Sequence, residues 1–102
     1  LTRRRALSYP PYASLIRVIC SSEEEAPARE ASEAIHSRLV DGSAMLLGPA
    51  PLFRLRGRYR TQLVVKARER QPAIDAVGAA VEEVGPAAAR GGVNVSVDVD
   101  PQ

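Results

Sequence analysis

Positively charged side chains are concentrated in one short stretch of this sequence. Residues 54–70 carry seven Lys or Arg side chains and one acid, Glu69, although the net charge of the whole chain is only +2. Guanidinium groups grip phosphates and carboxylates through a planar fork of donors. The stretch therefore predicts binding to an anionic partner. Its candidate binding residues are Arg54, Arg56, Arg58, Tyr59, Arg60, Gln62 and Lys66.

Strand periodicity places most of these side chains on one face. Residues 58–68 alternate, with apolar side chains on one face and polar ones on the other. We expect the guanidinium groups to crowd on one exposed side, where like charges repel and need either acids of the fold or an anionic partner. Tyr59 could stack on a nucleobase, although this register turns it to the core side. Two alternatives are a merely solvated strand face and a GC-rich genome that favours arginine.

Other residues capable of chemistry are few. Asp98 and Asp100 could bind Mg²⁺ or pair with arginines, and a salt bridge to Arg17 or to the basic stretch is favoured because no other ligand cluster is present. The single cysteine, Cys20, permits neither an internal disulfide nor a Cys-based zinc site. His36 lies in a helical pattern without a nucleophile nearby. No phosphate-binding or dinucleotide-binding glycine motif and no catalytic triad is found, so we expect no active site within this chain.

Hydrophobic periodicity predicts six elements. Ser21 or Ser22 is the expected N-cap of the first helix. Pro49 and Pro51 interrupt the second strand, which is therefore expected to be short and to lie at an edge or a bend. Gly57 marks a turn, and residues 85–92 are expected to form a loop. The predicted elements are a strand at 14–22, a helix at about 23–40, strands at 45–48 and 58–68, a helix at 72–84 and a strand at 93–100.

This order predicts an α+β, ferredoxin-like βαββαβ sandwich, with a four-stranded antiparallel sheet and two helices on one face. The basic face of the sheet would stay open. A length of 102 residues suits one domain, here 14–102, preceded by a linker and turn at 1–13. No signal peptide or membrane span is visible. The chain begins with Leu1 rather than Met, so we expect a piece of a longer protein.

Several motifs in a fixed order resemble one known family. The segments "RR", "YPPY", "LLGPAP", "RLRGRYRTQLVVKA" and "VDVDP" cover nearly the whole chain. They resemble the C-terminal domain of the primosomal replication-restart DNA helicases, PriA (primosomal protein N′). The resemblance implies a fold similar to a ribosomal small-subunit protein, which agrees with the element order.

The resemblance also implies a function. The domain would bind single-stranded or forked DNA at stalled forks and help to reload the replisome. With the helicase core of the same chain, it would form a site for the acidic C-terminal tail of single-stranded-DNA-binding protein. The matching residues are Arg58 and Gln62, which lie about 13 Å apart along one strand face.

Catalysis would belong to the rest of the parent protein. The family's ATP, Mg²⁺ and Zn²⁺ sites fall outside this chain, in which no cofactor is expected. An active ATP-dependent 3′–5′ helicase and a helicase-inactive relative both remain open, and the expected location is the bacterial cytoplasm without membrane contact. A ribosomal-type RNA-binding module and a small-molecule regulatory domain are the alternative functions.

Overall fold

The structure, a computed structural model, describes residues 14–42 and 44–100. The expectations for residues 1–13, including the "YPPY" turn, lie outside that range. The predicted order βαββαβ is confirmed. The elements are β1 (Ser14–Ser22), α1 (Glu25–Leu39), β2 (Met45–Leu55), β3 (Arg58–Ala67), α2 (Arg70–Arg90) and β4 (Asn94–Val99).

The four strands form one antiparallel sheet in the order β2-β3-β1-β4, which confirms the predicted α+β sandwich. The central strands β1 and β3 pair from Ser14 opposite Ala67 to Ser22 opposite Tyr59. Alternate residues of both strands are buried, because one face of the sheet packs on the two helices. The other face carries the remaining residues, and neither of the two described helices packs on it.

The core lies between the helices and the covered face of the sheet. Ile16 and Leu63 from the sheet and Ile35 from α1 are fully buried. Thr61 makes polar contacts within this layer, since its hydroxyl lies 3.1 Å from the Ala28 carbonyl oxygen and 2.9 Å from Ser32 Oγ. These contacts fix which side of β3 faces the helices.

Both helices differ from the prediction at their ends. The N-cap of α1 is Glu24 without a side-chain cap, so the prediction of a serine cap is wrong: the Ser22 hydroxyl donates to the Glu24 carbonyl oxygen instead. Helix α2 continues through residues 85–90, which were expected to be a loop. Alanine favours a helix there, and Ala88 is only 8% exposed, so its burial offsets the donor that Pro86 lacks.

The second strand is longer than predicted. It continues past Pro49 and Pro51 to Leu55 instead of ending at Gly48. Its position at the sheet edge is confirmed, and an edge strand tolerates proline because one side of its backbone needs no ladder partner. The register shifts between Leu47 and Ala50, so the strand passes the prolines through a bulge.

A side chain at Gly48, within this bulge, should destabilise the fold. Its φ is +95°, and a Cβ there would lie 2.7 Å from the Gln62 carbonyl oxygen. Gly48→Ala should therefore lower the free energy of unfolding by roughly 1–3 kcal/mol. Denaturant titration monitored by circular dichroism measures this change.

Gly78 provides the matched control. It lies within α2 at an exposed position, and a Cβ there would meet no atom within 4 Å. Gly78→Ala should raise the free energy of unfolding by about 0.5–1 kcal/mol, because alanine favours the helix. Equal effects of the two substitutions would contradict the described backbone at Gly48.

The buried thiol of Cys20 should react slowly while the chain is folded. Burial raises the pKa of its thiol from 9.0 to about 11. The thiolate is the reactive form, so iodoacetamide at pH 8 should label Cys20 slowly in the folded chain and readily in guanidinium chloride. Since the folded state holds this proton more tightly, the Cys20 contribution to stability is intact below pH 9 and is lost towards pH 11. Rapid labelling of the folded chain would disprove the burial.

Candidate anion-binding site

The open face of the sheet carries part of the predicted basic set. The burial pattern of β3 alternates from Thr61 to Ala67, and the inward side chains face the helices. The opposite side chains are only partly buried, and those predicted as binding residues are Arg58, Arg60, Gln62 and Lys66. Arg68 follows the end of β3 and is exposed. The predicted alternation of β3 is therefore confirmed.

Neighbouring strands surround these polar side chains with small and apolar ones. Gln62 lies between Ala50 of β2 and Ile19 of β1 in the register. Its side chain makes no hydrogen bond to any residue in the described part of the chain. The Gln62 amide is therefore available to a peptide or a nucleotide that lies on the open face.

The guanidinium groups of Arg58 and Arg60 point apart. Arg58 Nη2 donates to the Ser21 carbonyl oxygen at 3.0 Å and to the Gly92 carbonyl oxygen at 3.4 Å, towards β1 and β4. Arg60 donates through Nε at 3.2 Å and Nη2 at 3.0 Å to the Phe53 carbonyl oxygen of β2. The prediction that the guanidinium groups crowd together is wrong, because backbone carbonyls on opposite sides draw them apart.

Carboxylates of the fold leave most of this charge unpaired. Arg17 and Asp98 form an ion pair on the open face, with Nη2 and Oδ2 3.1 Å apart, as the favoured salt-bridge interpretation predicted. No ion pair between described residues involves Arg58, Arg60 or Lys66. Hydrogen bonds to carbonyl oxygens satisfy the guanidinium donors but do not neutralise their positive charge, so the open face remains positive.

Asp100 lies just beyond the end of β4 and leaves the regular path of that strand. Its φ is +52°, and its backbone leaves the strand after Val99. The Asp100 Oδ1 atom accepts a hydrogen bond from the Leu15 amide at 3.0 Å, and Oδ2 lies 3.5 Å from Arg70 Nη1. Asp98 and Asp100 thus each pair with an arginine.

The remaining predicted residues lie at the end of the β2–β3 hairpin. Tyr59 is opposite Ser22 in the register, on the covered side of the sheet, and the Arg54 guanidinium lies 4.4 Å from its ring centroid. Arg56 and Gly57 form the turn, both with positive φ, as a type I′ turn requires. The predicted set is therefore divided between the open face and the hairpin end.

Phe53 was absent from the predicted set and is the most exposed large apolar side chain described. It is 93% exposed and lies in the irregular part of β2, between Leu52 and Leu55. The sequence offered one signal, since this is the only phenylalanine and Arg54 follows it directly. Strand alternation could not place it, because a register shift interrupts the alternation there.

The cleft of about 370 Å³ that adjoins Arg58 is not a better anion site. Glu23 and Glu24 also line it, which disfavours an anion there. No group of three or more His, Cys, Asp or Glu side chains within residues 14–42 and 44–100 could hold a metal ion. Neither described helix is long and apolar enough to cross a membrane.

Comparison with known sequences identifies relatives with one shared name. The sequence profile described as "Primosomal protein N C-terminal domain" matches residues 5–102. "Replication restart protein PriA" of Treponema pallidum is 34% identical over 99% of this chain, and that of Thermotoga maritima is 31% identical over 99%. The Synechocystis protein of the same name is 38% identical over 65%. The matches span 16%, 13% and 8% of the three relatives, so the chain corresponds to a small part of their length.

Comparison with solved structures agrees with the architecture. The designed protein Foldit4 superposes with a TM-score of 0.68 over 87% of this chain and 97% of its own, at 11% identity. A hydantoinase/carbamoylase family amidase from Burkholderia ambifaria gives 0.55 over 86% of this chain and 28% of its own, also at 11%. Such low identities support the fold alone. The sequence match over residues 5–102 shows that this chain belongs to the family of primosomal protein N C-terminal domains.

Proposed function

We propose that this chain is the DNA-binding and partner-binding domain of a PriA-type replication-restart helicase. In this proposal it helps to recognise stalled forks and to reload the replisome. The observation that carries the proposal is the positive open face, where Arg58, Arg60 and Lys66 have no carboxylate partner among the described residues. The relatives' name, replication restart protein, sets the biological context.

Single-stranded or forked DNA is the first proposed ligand. Its phosphates are the anions that unpaired arginines attract, and binding releases counterions. The cations lie on the open face and at the hairpin end, so a DNA strand on the open face could continue to the hairpin end and contact both groups. The proposed DNA contacts are Arg54, Arg56, Arg58, Tyr59, Arg60, Gln62 and Lys66.

The acidic C-terminal tail of single-stranded-DNA-binding protein is the second proposed ligand. Arg58 uses Nε and Nη2 within the fold, whereas its Nη1 makes no hydrogen bond to a described residue. That nitrogen can donate to a carboxylate, and the Gln62 amide on the same face can bind a peptide group. The helicase core is proposed to complete this site.

The remaining functions are assigned to the rest of the protein. We propose that ATP, Mg²⁺ and Zn²⁺ bind outside this chain, and that the whole protein acts in the bacterial cytoplasm. ATP hydrolysis and unwinding would then depend on the helicase core, while this domain contributes binding. A ribosomal-type RNA-binding module would use the same open face, so structured RNA must be included as a competitor.

The DNA proposal predicts a defined salt dependence. If about three phosphates are contacted, the logarithm of the association constant for an oligothymidylate should fall with the logarithm of salt concentration with a slope of about −2. Fluorescence anisotropy of the labelled oligonucleotide at several salt concentrations measures the slope. An absence of binding, or a flat response, would refute the DNA proposal, and stronger binding to structured RNA than to forked DNA would favour the RNA-binding alternative.

The tail proposal predicts that Arg58→Ala weakens binding of an acidic tail peptide by about 1–3 kcal/mol, because a charge-assisted hydrogen bond is lost. Calorimetry with the full-length protein measures this, since the helicase core is proposed to form part of the site. Arg38→Ala is the matched control: it also removes one arginine, but from the helical layer, where Arg38 pairs with Glu83. Its affinity for the peptide should be unchanged.

Gln62→Ala separates binding from folding. Arg58 also holds the Ser21 and Gly92 carbonyls, so Arg58→Ala could lower stability, which a thermal melt would reveal. Gln62 makes no such bond within the described residues. A peptide affinity that stays at the wild-type value in both folded variants would remove this pair from the site.

A further inference from the structure

The exposure of Phe53 needs an explanation. It is 93% exposed, whereas the other exposed large apolar side chains of the described residues range from 40% to 55%. Single exposed apolar side chains are ordinary on protein surfaces. Phe53 differs because its whole ring projects from the sheet edge. It therefore contributes almost nothing to the core and is available to an external ligand.

The backbone beneath Phe53 is held in place. The register shift between Leu52 and Leu55 takes Phe53 out of regular pairing, and such bulges re-aim side chains. Arg60 fastens this irregular segment, because two of its nitrogens donate to the Phe53 carbonyl oxygen at 3.2 and 3.0 Å. The ring is thus presented from a fixed position, and a ligand need not order a flexible loop before binding.

The chain segment that contains Phe53 is cationic. No Asp or Glu occurs anywhere between residues 42 and 68. Arg54 lies over Tyr59 and donates to the Gly57 carbonyl oxygen at 3.3 Å, and Arg56 is exposed at the turn. Arg54 follows Phe53 directly, Arg60 donates to the Phe53 carbonyl oxygen, and Arg56 lies three residues further along at the turn.

We propose that Phe53 stacks on an unpaired nucleobase while Arg54, Arg56 and Arg60 hold the adjacent phosphates. The hairpin end would then distinguish unpaired DNA from duplex DNA, whose bases are already stacked. This inference rests on the proposed DNA-binding function and adds to it the kind of strand that is recognised and the residue that recognises it. Base–aromatic stacking tolerates any sequence, because every base has a π-face.

A nucleic acid fits this surface better than an apolar protein pocket does. A pocket deep enough to cover Phe53 would also have to desolvate the neighbouring guanidinium groups, which is costly without matching charges. A single strand brings a phosphate with every base, so it supplies both partners at once. Stacking also leaves the edges of the base and the arginine side chains in water.

The test compares four variants on three DNA ligands. The ligands are an oligothymidylate, an abasic oligonucleotide with the same number of phosphates, and a blunt duplex. The variants are Phe53→Ala, Phe53→Leu, Phe53→Trp and the control Val40→Ala. Val40 is a matched control because it is also an exposed large apolar residue, at 55% exposure, but it lies at the end of α1, away from the open face. Thermal melts confirm that each variant is folded, which is expected since Phe53 lies outside the core.

Stacking predicts a specific pattern of affinities. Phe53→Ala and Phe53→Leu should weaken oligothymidylate binding by about 5- to 150-fold. Phe53→Trp should retain the affinity, and Val40→Ala should leave it unchanged. Binding to the abasic oligonucleotide and to the duplex should change less than about twofold in every variant. The salt slope of Phe53→Ala should equal that of the wild type, because no charge has been removed.

Two results would overturn the inference separately from the proposed function. Full oligothymidylate affinity in Phe53→Leu would show that no π-face is needed. An equal loss of abasic and oligothymidylate binding in Phe53→Ala would show that no base is contacted. In either case, salt-dependent binding by the wild type would leave the DNA-binding proposal intact, whereas a wild-type chain that binds no oligothymidylate would overturn both.

Discussion

The burial of Leu63 and Val65 against the helices is the constraint on which the rest of the structure depends. Side chains of a strand alternate, so burying these two forces Gln62 and Lys66 to the opposite face. A slip of one residue would bury the charged side chains and expose the core set. The position of the open-face cations is therefore set by hydrophobic burial, and an anion is not needed to place them.

The same constraint places like charges close together, and hydrogen bonds to backbone carbonyl groups reduce the resulting repulsion. Arg58 and Arg60 are two residues apart on one face, where parallel guanidinium groups would repel each other. Carbonyl oxygens of Ser21 and Phe53 draw them to opposite sides of β3. This separation reduces the repulsion between the two groups but removes no charge. The domain can thus fold without an anion and still attract one.

Sequence periodicity was sufficient for the parts of the fold that follow one regular pattern. The alternation of β3 and the pairing of Arg17 with Asp98 could be predicted, because both depend on strand period and charge alone. The length of α2 could not, because the burial of Ala88 outweighs Gly85 and Pro86 only in the folded packing. The directions of the guanidinium groups could not be predicted either, since they depend on backbone carbonyl groups that strands distant in sequence bring close to them.

The edge position of β2 explains how an exposed aromatic ring is compatible with a stable sheet. Met45, Leu47 and Phe53 expose apolar surface along this strand, and an open edge of that kind invites pairing with another chain. Pro49 and Pro51 remove two amide donors from it, and the register shifts interrupt its regular backbone. Arg54 and Arg56 add charge near its end, which further opposes association of like chains. These features make the edge a poor template for a further strand, while Phe53 stays accessible to a ligand that needs only its face.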